Sequence, residues 1–155
     1  MIQRIQTLYL LFIVILSGFV IFAPLADLVN TADKLLYLVD FKGISLMKST
    51  GNTLESTIWG LTTISMIVPV MALIAIFFYK NRTKQIRLCV INMVFMLAYY
   101  GFLFFEIWTA CNRLHTDWHL RIATILPLVN LILSYLAIGA IGKDEKLVKS
   151  LDRLR

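Results

Sequence analysis

The sequence holds little with which to do covalent chemistry. Its 155 residues include two cysteines, two histidines, three prolines and seven glycines. No glycine cluster forms a phosphate-binding loop, no hydroxyl or thiol stands in a set with a base, and no two carboxylates are spaced for acid–base work. Neither an enzyme nor a cofactor is expected. Two cysteines make no disulfide framework. Cys89 and Cys111 fall toward opposite ends of one apolar run, about 30 Å apart along a helix, whereas a bridge needs Cα atoms within about 7 Å. No Asp, Glu, Lys, Arg or His lies at the centre of a long apolar run. Ion-coupled transporters usually carry such a group, and the inverted repeat common among them is also missing.

What is present is apolar: 59% of residues, with a mean hydropathy of +0.81. These residues come in four runs, at about 5–23, 57–79, 86–108 and 120–141. Each is roughly the twenty residues that cross about 30 Å of hydrocarbon. The expected fold is an all-α membrane protein: one integral domain, 1–155, forming a four-transmembrane-helix bundle. The first run follows Arg4 and ends at Pro24. It exceeds a typical signal-peptide core, and Ala23-Pro24-Leu25-Ala26 is a poor cleavage site, so an uncleaved helix is expected. Pro69 and Pro127 are expected to kink their helices. Thr62, Thr63 and Ser65 precede Pro69 and are placed to bond carbonyls that the kink frees.

The net charge is +6. The cations collect at run ends and are not interleaved with aromatics as on a nucleic-acid surface, so no nucleic-acid partner is expected. The central segment Lys80-Asn81-Arg82-Thr83-Lys84-Gln85-Ile86-Arg87 has four cations and no acid. Taken with both ends of the chain it makes a side with ten cations and three acids; the other side has five cations and six acids. The positive-inside rule then predicts both termini in the cytoplasm. Segment 24–56 becomes an extracytoplasmic loop. In it Leu35, Tyr37, Val39 and Phe41 alternate with a second set, Lys42-Gly43 offers a turn, and 44–49 reads as another strand. This predicts a small β-hairpin; the alternative is a short amphipathic helix at the interface. In the tail, 143–155, Leu147, Leu151 and Leu154 recur at helical spacing among cations. The segment reads as an amphipathic helix lying on anionic lipid, or as a docking helix for a cytoplasmic partner.

The candidate interaction face on the cytoplasmic side comprises Gln3, Arg4, Lys80, Asn81, Arg82, Lys84, Gln85, Arg87, Lys143, Lys146, Lys149, Arg153 and Arg155. Topology requires a few cations there but not the amides Gln3, Gln6, Asn81 and Gln85, and that excess points to a surface that binds. Inside the runs, Asn92, Asn130 and Ser134 are candidate helix-to-helix contacts, each bond worth about 1 kcal/mol. Alternatively they line a cavity. Glu106 and Arg121, at similar depth, form an interfacial ion pair or each face headgroups. Cys111, His115 and His119 are spaced i, i+4, i+8, and on a helix would share one face near Asp117 and Glu106. Thiol and imidazole suit zinc or copper. Trp108 and Trp118 bracket the stretch as an aromatic belt would, so a plain polar turn is the other reading.

Three short segments carry a family resemblance: Met1-Ile2-Gln3-Arg4-Ile5-Gln6-Thr7-Leu8-Tyr9-Leu10, then Tyr79-Lys80-Asn81-Arg82 with Gln85-Ile86-Arg87-Leu88, then the tail from Lys143 to Arg155. Together they resemble the domain-of-unknown-function family 4293, small four-helix membrane proteins of Bacteroidota. The resemblance spans the chain and implies a bacterial inner-membrane location with four helices; it implies no activity. The first loop and the Cys111–His119 stretch are not among the matching segments. The expected role is a non-enzymatic membrane subunit or scaffold that binds a partner protein or anionic lipid through its basic face. The alternative is a small-molecule or lipid-handling protein with a cavity beside Asn92, Asn130 and Ser134 at the two proline kinks.

Overall fold

The structure, a computed structural model, describes residues 3–30, 35–48 and 51–152. Four helices carry it: α1 (Gln3–Phe22), α2 (Trp59–Phe77), α3 (Arg82–Leu114) and α4 (Leu126–Asp152). All four are long and apolar enough to cross a membrane. α1 packs on α2 and α4, and α3 packs on the same two, so the helices form a four-sided ring. The apolar side chains face outward as much as inward: Phe22, Trp59, Phe77, Trp108 and Ile122 are all more than two-thirds exposed. A water-soluble surface rarely tolerates a continuous patch of this kind.

The inward positions follow a seven-residue repeat. On α3 the buried residues run Gln85, Cys89, Asn92, Met96, Tyr99, Leu103, Ile107 and Ala110. On α1 they run Gln6, Leu10, Ile13, Ser17 and Val20, and on α4 Asn130, Ser134, Ala137, Ile141 and Asp144. Alternating steps of three and four keep one seam turned toward a neighbouring helix, as in left-handed bundles. Small residues on this seam (Ala72, Ala75, Ala110, Ala137) bring the helix axes close.

Several expected boundaries shift. The basic segment is not a turn. A single 3₁₀ turn, Phe78–Lys80, and Asn81 make the whole connection, and Arg82–Arg87 already belong to α3. α3 then runs 33 residues, about 50 Å and longer than the hydrocarbon layer. α2 stays helical through Pro69. Thr63 and Ser65 donate to Trp59 and Leu61, each its own carbonyl four back rather than one freed by the proline, and Thr62 turns its hydroxyl to the sheet. Pro127 does not kink α4, because it is the second residue of that helix, after a 3₁₀ turn over Ile122–Ile125. Proline in a first turn costs no hydrogen bond. At its other end α4 continues through Gly142 to Asp152, so the tail to that point extends the fourth helix rather than forming a separate one.

The first loop folds further than a hairpin. β2 (Leu35–Asp40) and β3 (Gly43–Lys48) pair as expected, joined at Phe41-Lys42. β1 (Ala26–Asn30) and β4 (Gly51–Thr57) flank them, and β5 (Asp117–Leu120) adds from the second loop. The antiparallel order is β4-β3-β2-β1-β5. A lone hairpin is marginal in water; five strands on a helical platform are not. One face is apolar and in register, with Ala26 opposite Val39 and Val39 opposite Ile44, and Leu28 opposite Tyr37 and Tyr37 opposite Leu46. All six are buried in the same core as the helix ends. Gly43 holds φ +148°, and a Cβ there would meet the Ser56 carbonyl, so the β2–β3 corner requires glycine.

The sheet is tied to the helix ends by hydrogen bonds. Asn30 Nδ2 donates to Leu114 O at 3.1 Å, which satisfies a carbonyl left open at the α3 C-terminus. Thr62 Oγ1 donates to Phe41 O at 2.7 Å, Thr124 Oγ1 to Leu25 O, and Arg121 N to Leu25 O at 2.9 Å. The sheet therefore sits at the bundle end opposite Lys80–Arg87.

Candidate functional site

Three groups of polar residues emerge: one inside the seam and one at each end of the bundle. The antiparallel register of α3 and α4 places the first. Arg82 meets Asp144, and further along Met96 and Tyr99 share a cavity wall with Pro127 and Asn130. Asn92 therefore comes level with Ser134. All three intramembrane candidates, Asn92, Asn130 and Ser134, are buried on the seam. Asn130 Nδ2 donates to Ser17 Oγ at 3.1 Å, joining α4 to α1, and Ser17 Oγ donates on to Ile13 O. Gln6 Nε2 donates to Ala140 O at 3.2 Å and joins the same pair nearer the basic end.

The seam also takes residues that the sequence reading had placed elsewhere or passed over. Gln85 is 2% exposed and Gln6 5%, so neither amide lies on an interaction face. Both sit where the heptad turns them inward. Tyr99, Ser17 and Ser65 were not expected to be partners of Asn130. The signal was there: Gln85, Asn92 and Tyr99 are seven residues apart, with Cys89, Met96 and Leu103 between them. The Tyr99 hydroxyl lies beside that of Ser65, while Gln85 Oε1, Asn92 Oδ1, Asn130 Oδ1 and Ser134 Oγ have no protein hydrogen-bond partner. Such groups cost roughly 1–3 kcal/mol each unless satisfied. The void beside Asn130 measures about 20 Å³. This is room for one water and not for a lipid or drug-sized molecule, whose pockets start near 300 Å³. The void beside Asn130 is therefore too small for the ligand of the alternative reading.

At the basic end Arg82 is turned sideways. Its Nη1 donates to Asp144 O at 2.9 Å, and its Nη2 lies 2.9 Å from Asp144 Oδ2, off the ideal hydrogen-bond direction. Asp144 is 7% exposed. The pair clamps the start of α3 to α4, which removes Arg82 from the free cations. Asn81, Lys84, Arg87 and Lys143 are exposed. Lys84 rests its ammonium 5.9 Å from the Phe78 ring, a cation–π distance. Gln3, Arg4 and Lys80 lie in helical or 3₁₀ backbone at this end, as do Lys146 and Lys149. Arg153 and Arg155 fall outside the described residues.

At the sheet end two expectations are corrected. Arg121 does not pair with Glu106. Its Nε reaches both Asp27 carboxylate oxygens, at 2.7 and 2.9 Å, because the strand β5 aligns its end with β1. Cys111, His115 and His119 do not share a helical face. α3 ends at Leu114, His115 is its left-handed cap at φ 49°, and His119 lies in β5 opposite Asp27. Among the described residues no three His, Cys, Asp or Glu side chains gather as metal ligands. Asp40, half-buried, titrates above the ordinary aspartate range because burial disfavours its charge; Arg121 and Lys42 offset part of this.

Two outcomes follow. A raised carboxyl pKa stabilises the fold below the unfolded-state value and loses that stabilisation as pH rises through the folded value. Thermal melts of Asp40→Asn and wild type should therefore diverge in favour of the variant as pH climbs from about 4 toward neutrality; a pH-independent difference would contradict the assignment. For the clamp, Asp144→Asn and Arg82→Gln should each cost about 1–3 kcal/mol, since each leaves a partly buried charge unpaired. The double variant should cost clearly less than the sum, measured by thermal unfolding in detergent.

A search among curated proteins finds no match. The model of the family described as domain of unknown function (DUF4293) matches residues 2–154, nearly the whole chain, and the protein belongs to that family.

Proposed function

We propose that this protein is a non-enzymatic integral membrane subunit or scaffold of a bacterial inner membrane. Both termini and the α2–α3 connection face the cytoplasm, the sheet faces outward, and the basic end binds an anionic surface. That surface is the headgroup layer of anionic lipid or the acidic face of a partner protein held against it. The observation that carries the reading is the division of labour at the basic end. Arg82 is neutralised by Asp144, while Lys84, Arg87 and Lys143 stand exposed without an acid partner among the described residues. Cations held near an anionic membrane surface are worth about 1 kcal/mol each, and topology alone asks for fewer than this end supplies.

The test is charge reversal of the exposed set, Lys84→Glu/Arg87→Glu/Lys143→Glu. The variant leaves the Arg82–Asp144 clamp intact. Expected are a loss of co-purifying anionic lipid by native mass spectrometry, or of a partner in a mild-detergent pull-down, while Tm changes little. Unchanged lipid and protein retention in a folded variant would overturn the reading.

A further inference from the structure

Halfway along α3, at Tyr99, the seam encloses the cavity of about 20 Å³. Two residues from each of the four helices wall it, and all eight are buried. Its polar wall is Ser17 on α1, Ser65 on α2, Tyr99 on α3 and Asn130 on α4. Asn130 Oδ1 in that wall has no partner, and the Tyr99 hydroxyl lies beside the Ser65 hydroxyl, with which it can bond; Asn130 and Tyr99 are 2% and 3% exposed. The serines are partly committed. Ser17 Oγ donates to Ile13 O and accepts from Asn130, and Ser65 Oγ donates to Leu61 O at 2.8 Å, keeping its lone pairs.

We propose that this cavity is a binding site for a single water molecule that joins all four helices. A water needs about 10–15 Å³ and two to four polar partners, and the cavity meets both conditions. It donates to Asn130 Oδ1 and to the oxygen of Tyr99, whose hydroxyl lies beside Ser65. That makes two bonds, within the two to four that a buried water needs. Asn130 Nδ2 carries the link on to Ser17. The assignment does not depend on which way the Asn130 amide is turned. Either end of the amide facing the void needs a partner, and water both donates and accepts. A dry cavity is the alternative, but dry cavities are apolar, and this one has the unsatisfied amide oxygen of Asn130 and two hydroxyls in its wall.

Val68 on α2 provides the discriminating variant, because it contributes an apolar part of the wall. Val68→Ile adds a methylene into the void. In a dry cavity it raises the Tm of the full chain in detergent; in a wet one it displaces the water and lowers it. Tyr99→Phe removes one bond to the water and should also lower Tm. Since both act on the same molecule, the double variant should lose less than the sum of the singles. A neutral Tyr99→Phe, additive losses, or a stabilising Val68→Ile overturns the proposal. A second readout needs no variant: in the wild-type protein, solid-state NMR transfer from slowly exchanging water to the Asn130 side-chain amide should be seen. Its absence also overturns the site.

Discussion

The rest of the structure depends on how polar side chains are handled on a seam shielded from bulk water. Between apolar helices in lipid there is no hydrophobic force to hold them together, because a lipid tail is as good a neighbour as leucine. What remains is close packing and hydrogen bonding. This chain uses both in one pattern. Small residues let the helices approach, and Gln6, Ser17, Asn130 and the Arg82–Asp144 pair connect neighbouring helices across the contacts. Because the polar groups sit at fixed heptad positions, sliding one helix by a turn would strand several of them at once. The seam thus sets register as well as adhesion.

Much of this was legible in the sequence, for identifiable reasons. Four apolar runs of membrane length gave the four helices. The period-two stretch from Leu35 to Phe41, with Lys42-Gly43 after it, gave the central hairpin, though the turn lies one residue earlier, at Phe41-Lys42. What stayed hidden was tertiary. β1, β4 and β5 are short or polar, and become strands only because β2 and β3 offer edges and the helix ends offer a floor. Gln85 was misread because it stands in a cationic run, and local composition outweighed its seven-residue spacing from Asn92. His119 was misplaced because a helix was imagined across Leu114, where a left-handed cap at His115 ends it. Arg121 found Asp27 rather than Glu106 through strand pairing, which no local pattern announces.

The two ends of the bundle differ in kind. One is closed by a sheet whose buried face continues the helical core and whose polar bonds occupy open helix ends. The other is a short 3₁₀ connection beside two helix termini, with one cation neutralised and others left exposed. The closed end and the charged end are the contrast on which the proposed surface-binding role rests.

The most direct measurement of this arrangement is side-specific labelling. In a Cys89→Ala/Cys111→Ala background, single cysteines would replace Lys84 at the basic end and Asp117 in β5. Spheroplasts would then be treated with a membrane-impermeant maleimide. If the sheet faces outward and the basic end lies in the cytoplasm, Asp117→Cys labels at once and Lys84→Cys only after permeabilisation. The reverse pattern, or equal labelling of both before permeabilisation, would contradict it.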